Sequence, residues 1–277
     1  MNIVVNILKI VGMIVLLFII SVFAQNLGIL WHVFNWQGLE YVLHGLTNLV
    51  VAVLAVKLLV NKGLKRELTD YRVTSIRIDS CYLILGILLP IIVNLLYVML
   101  IPGQFVITQL DSNKAYIELL LSVIFISGIV APIVEEIVFR GILLKYVEEK
   151  TNIVFAIMLT SFLFSVVHIF NGKLEGIDLY LLIVAGFLAG MMYAIATYQF
   201  NSIWASVVLH ACWNLSGIFT VTPDKVDASL FQYIIQTQNV WITGGAYGMD
   251  ASLIAMGGYV LVIFILLFSQ KRKSLKV

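Results

Sequence analysis

The chain has 277 residues, 61% hydrophobic and 12% charged, with a net charge of +2. An average soluble domain carries roughly 25% charged residues, so this composition cannot clothe a water-soluble globule of the same size. The small net charge, spread over loops between apolar blocks, excludes a nucleic-acid module and leaves the lipid bilayer as solvent.

The apolar residues fall in blocks of about twenty, the length a helix needs to cross roughly 30 Å of hydrocarbon. In chain order they predict eight helices: 4–24, 40–60, 81–101, 115–146, 152–170, 179–198, 203–222 and 251–269. Val22 and Ala24 would suit a signal-peptide cleavage site, but the length of the first block and its interruption by Lys9 favour a retained span. Cys81 and Cys212 lie in or beside apolar blocks and read as small buried hydrophobes, without metal-knuckle spacing or a disulfide framework.

The 32 residues of the fourth block would measure about 48 Å as a helix, too long for one upright span. The block must tilt, kink or project, and Pro132, which removes a backbone donor and crowds the preceding turn, is the natural bend point. In the sixth block Gly186 and Gly190 form a small-x-x-x-small pair, a signal for close helix approach.

Basic residues orient the bundle. With the amino terminus inside, the inner loops and tail carry Lys62, Lys65, Arg66, Arg72, Arg77, Lys145, Lys150, Lys271, Arg272, Lys273 and Lys276. The outer loops carry only Lys114, Lys173 and Lys225. This asymmetry places both termini in the cytoplasm. The expected fold is all-α, a polytopic transmembrane helix bundle of about eight spans in the cell membrane.

The run Ala131-Pro-Ile-Val-Glu-Glu-Ile-Val-Phe-Arg-Gly141 sets three ionisable groups in apolar sequence. Charges at membrane depth are costly, so they face a protein interior and serve a purpose. Adjacent carboxylates on a helix point about 100° apart. Glu136 and Arg140, four apart, can pair on one face, which leaves Glu135 turned elsewhere. Phe164-Ser-Val-Val-His168 and His210-Ala-Cys-Trp-Asn214 each bring a histidine and a partner to one helix face. The hairpin near 148–152 puts Glu135 and His168 roughly 22 and 26 Å along their helices, nearly level, and all four polar residues are expected in one layer towards the inner face.

A carboxylate can take a proton from water as it attacks a peptide carbonyl, a histidine can orient that water, and imidazole or amide donors can stabilise the oxyanion. The same residues could instead hold a metal through Glu135, His168 and His210 with an open position for water, although no H-E-x-x-H is present.

These three motifs, E-E-x-x-x-R, F-x-x-x-H and H-x-x-x-N in order, resemble the CAAX prenyl protease 2 or CPBP (Abi, Rce1-like) intramembrane peptidases. The likeness covers about residues 115–218, with Gly186, Gly190 and Asn201-Ser-Ile-Trp204 inside it. The resemblance implies that Glu135 activates water with His168, that His210 and Asn214 form the oxyanion site, and that Glu136, Arg140 and Phe164 are structural supports. The family has been described both as metallopeptidases and as glutamate-dependent, so zinc stays open here. On this reading residues 111–222 are the catalytic core. Residues 1–110 are helices without a recognised motif, and 223–277 comprise an outer loop, the last helix and a basic tail.

The implied function is an intramembrane endopeptidase acting on a membrane-associated peptide or protein. Two other readings compete: a non-proteolytic membrane partner, such as a bacteriocin immunity protein or sensor-system regulator, and a transporter using the same groups as a relay. His32 and His44 stand outside the trio and receive no catalytic role.

Overall fold

The computed structural model describes residues 3–171 and 175–274, with side chains to residue 269 except that of Asn171. Lys173 and Lys276 lie outside the described residues, as do the side chains of Lys271, Arg272 and Lys273.

The apolar blocks become helices α1 (Ile3–Ile29), α2 (Leu39–Leu58), α3 (Ser80–Leu100), α4 (Asn113–Lys150), α5 (Ile153–Val167), α6 (Gly176–Phe200), α7 (Trp204–Leu215) and α8 (Leu253–Ser274). Polar residues start several of them: the side chains of Asp79, Ser112 and Asn152 accept the backbone N–H of Cys81, Ala115 and Phe155. Such caps satisfy donors that the first turn cannot. Among the described residues six helices, α1 to α6, are long and apolar enough to cross a membrane. The chain is a multi-pass membrane protein, an all-α bundle.

The expected eight spans need one correction. The seventh block, 203–222, forms only the 12-residue α7, about 18 Å long and short of the bilayer core. Its remainder is a strand, β2 (Phe219–Thr222). Hydropathy counts Phe-Thr-Val-Thr as apolar length, but aromatic and β-branched residues after Gly217 favour extended backbone. The apolar part of α8, Leu253–Ser269, is also shorter than the six.

β2 joins β1 (Gly103–Ile107) and β3 (Phe231–Ile235) in a sheet of order β1-β3-β2, antiparallel between β1 and β3 and parallel between β2 and β3. The sheet gathers the far ends of α3 and α7 with the approach to α8. The opposite end holds the basic loops. There Arg72 donates to Glu148 at 2.7 Å and to Asn201 at 3.2 Å, its carbonyl accepts Ile203 N–H, and Arg66 pairs with Glu149 at 2.6 Å.

α6 is the central post, with 56% of its apolar window buried against 17–28% for the other five. Gly186 and Gly190 explain how it sits so deep. A methyl group at either would lie 2.9 Å from the Ser165 Cβ or the Ser161 Cα of α5, so the packing expected from their spacing is present. α4 runs unbroken through Pro132 by widening: π-helical turns at Leu121–Val130 and Ile137–Leu143 flank an α-helical turn, Ala131–Glu136.

Candidate active site

Pro132 leaves one carbonyl of α4 without its backbone donor. In the π-helical stretch Ala131 N–H bonds the carbonyl of Ile126, five residues back. The next bond in that register would run from residue 132 to Ser127, and proline has no N–H to give. The Ser127 carbonyl instead accepts from Asn214 Nδ2 at 2.8 Å, so the vacant bond pins Asn214 to α4. Pro132→Ala is expected to restore a competing backbone donor. Thermal unfolding in detergent should show stability unchanged or raised, while any activity that depends on Asn214 falls by up to about 10²–10³, the cost of losing one oxyanion donor. Loss of stability would show that proline serves the helix and not the asparagine.

His168, at the end of α5, has Nδ1 2.7 Å from the carbonyl of Phe164. A carbonyl only accepts, so Nδ1 carries the proton and the neutral ring keeps its lone pair on Nε2. His210 on α7 has Nδ1 2.9 Å from Glu136 Oε1. Arg140 Nη1 donates to the same oxygen at 3.1 Å and Nη2 to the Gly190 carbonyl at 3.3 Å, which the absence of a side chain there leaves within reach. Glu136 and Arg140 are wholly buried. The i,i+4 pair expected from the sequence is formed, and Glu136 also orients His210, a link between helices that helix spacing alone does not contain.

Aromatic rings partition these charges. The Arg140 guanidinium lies 4.0 Å from the centre of the Phe164 ring, whose neighbour His168 is 4.6 Å away. Tyr193 stacks on His210 at 4.7 Å, nearly parallel. Phe164 thus lies between the guanidinium and His168, whereas His210 meets the guanidinium through Glu136.

His168, Tyr193, His210 and Asn214 line one cavity of about 70 Å³, room for a few water molecules. Glu135 does not line it. Its side chain is partly buried, its Oε2 has no hydrogen-bond partner, and it acts electrostatically on Tyr193 and Tyr247 of the cavity wall. Its Oε2 is buried and so is not presented to lipid.

Sequence reasoning missed Asp250, which lines the cavity from the connection before α8. Asp250 keeps an accessible face, yet protein crowds it from other directions and pushes its carboxyl up, to about 6, against the pull of a Trp213 hydrogen bond and of His168 and His210. Its place also corrects the expected depth. Residues 247–250 stand at the sheet end, and His168 is the terminus of α5 remote from the basic loops. The cavity lies towards the sheet end and not towards the loops that carry Arg66 and Arg72.

Among the described residues no three His, Cys, Asp or Glu groups stand close enough to hold a metal ion. Both histidines hold Nδ1 on an acceptor and keep Nε2 for a ligand, but Glu135 lies outside the wall that they share. The set Glu135, His168 and His210 does not fit a zinc site as arranged, and no step below runs through a metal.

Residues 117–216, which hold the glutamates, both histidines and Asn214, match the family model described as type II CAAX prenyl endopeptidase Rce1-like. The chain is similar to that family over these 100 of its 277 residues. The matched segment runs from α4 to the end of α7 and so spans three walls of the cavity, whereas Asp250 lies beyond it. A curated relative from Bacillus subtilis (strain 168), named "Putative membrane peptidase YdiL", is 33% identical over 107 residues. The match takes in 38% of this chain and 40% of that relative, so the chain spans about two fifths of its length. No solved structure matches the chain.

Proposed function

We propose that the chain is an intramembrane endopeptidase that hydrolyses a membrane-associated peptide or protein without a covalent intermediate. The observation that carries this reading is the convergence of His168, His210 and Asn214 on one water-sized cavity, with His210 held by the buried Glu136 carboxylate. In this mechanism the Nε2 lone pair of His168 holds a water in the cavity. As the water oxygen bonds to the peptide carbonyl carbon, its proton passes to Glu135, a reading supported by the buried Oε2 that has no hydrogen-bond partner. General-base help of this kind contributes typically about 10²–10⁴ in rate.

The carbonyl oxygen gathers charge as the tetrahedral centre forms. Asn214 Nδ2 has one N–H on Ser127 and a second to give. His210 donates from Nε2 only when doubly protonated, the form in which Glu136 is its ion-pair partner. Collapse of the centre breaks the C–N bond, and the proton held by Glu135 passes to the leaving amine.

The test compares purified wild type, Glu135→Ala and Glu135→Gln on a panel of membrane-anchored peptides, with metal analysis of the same samples. Wild type should cleave at least one peptide, and both variants should insert normally and lose cleavage. Full activity in Glu135→Ala would remove this carboxylate from the mechanism. An intact cellular phenotype in a variant that cleaves nothing would favour a non-proteolytic membrane partner.

A further inference from the structure

Asp250 supplies a carboxylate that none of the three motifs contains, and its surroundings are aromatic. Phe164, Tyr193, Trp213, Tyr247 and Tyr259 line the same cavity. The Tyr259 hydroxyl of α8 donates to its backbone carbonyl at 3.2 Å, and Trp213 of α7 lines the same cavity. Among the described residues no lysine, arginine or histidine lies within ion-pair distance of it. Both imidazoles facing the cavity spend their Nδ1 protons elsewhere.

A fixed carboxylate among aromatic faces attracts an organic cation twice over, through its own charge and through the ring quadrupoles. A cavity of about 70 Å³ has room for an ammonium head on a short methylene stem. We propose that Asp250 and the rings around it form a subsite for a primary ammonium group of the peptide substrate, carried next to the bond that is cut. The ammonium belongs either to a lysine side chain or to a free peptide amino terminus. The assignment rests on the endopeptidase reading for its purpose but not for its binding chemistry.

The two are separated by a binding experiment that needs no cleavage. Full-length protein in detergent is heated with n-butylammonium or with n-butanol, since a ligand of the folded state raises its stability by mass action. Wild type should be stabilised by the amine and not by the alcohol, and Asp250→Asn should lose the difference. Asp250→Glu, which keeps the charge, should recover part of it. Equal shifts with amine and alcohol, or an undiminished amine shift in Asp250→Asn, would overturn the subsite. If Asp250→Asn does not fold, Tyr247→Leu carries the test, with Tyr247→Phe as the variant that keeps a ring.

Peptides then identify the source of the ammonium. Lysine is compared with norleucine at each position near the scissile bond, and free with acetylated amino termini. Wild type should favour one ammonium-bearing form by about tenfold or more in kcat/KM, mainly through KM, and Asp250→Asn should bring that ratio to about one. A ratio near one in wild type would overturn the role in substrate selection. Absence of cleavage from every peptide, with the amine still bound, would sink the endopeptidase reading and leave the ammonium site standing.

Discussion

Glu136→Leu is expected to destabilise the bundle by about 3–5 kcal/mol, the usual cost of stranding one member of a buried ion pair. Arg140 is wholly buried, and apart from Glu136 its hydrogen bonds reach only the Gly190 carbonyl, while its Nε has no partner. Without the glutamate its charge would face the Gly190 carbonyl and the rings of Phe139, Phe164 and Tyr193. Adding Arg140→Met should recover most of the loss, because an apolar pair of similar volume removes the stranded charge together with its partner. Unfolding midpoints of wild type, single and double variants in one detergent measure the difference. A double variant no more stable than Glu136→Leu would mean that packing, and not the ion pair, sets the cost. Neither variant should cleave peptide, since His210 loses the carboxylate that orients it.

The second large effect concerns the two histidines. His168→Ala and His210→Ala should each lower kcat/KM by about 10²–10⁴, and the double variant should fall little below the weaker single variant. Residues that act on one reacting centre behave as a unit, so removing either removes most of what both supply. The structure motivates this directly: the rings enter one cavity from different helices, each fixed through Nδ1 by an acceptor outside it. Single-turnover cleavage of a membrane-anchored peptide gives the comparison. Losses that multiply would place the histidines in separate steps.

Much of the bundle is legible in hydropathy because a span's length is imposed by the bilayer. Six helices stand where apolar blocks predict them, and the Glu136–Arg140 contact follows from a spacing of four on a helix. The same measure fails at 203–222, where apolar content conceals a change from helix to strand after Leu215. Contacts between helices are less legible still. That His210 reaches Glu136 depends on how α7 crosses α4. Asp250 sits in a loop with no motif around it, and only the return of the chain before α8 brings it to the histidines. The depth of the cavity is not legible in the sequence, because counting residues from a hairpin fixes distance along one helix, not which neighbours close the site.

The Gly186 and Gly190 contacts bear on how the protein responds to its lipid. Where α6 rides on the Ser161 Cα and the Ser165 Cβ of α5, neither helix can slide past the other without a steric clash. A thicker or thinner bilayer is met by tilting or by local lipid adjustment at modest cost, and this pair must tilt as one body. The spacing between His168 and Tyr193 is thereby insulated from membrane composition, and hydrophobic mismatch is absorbed by the more loosely packed outer helices.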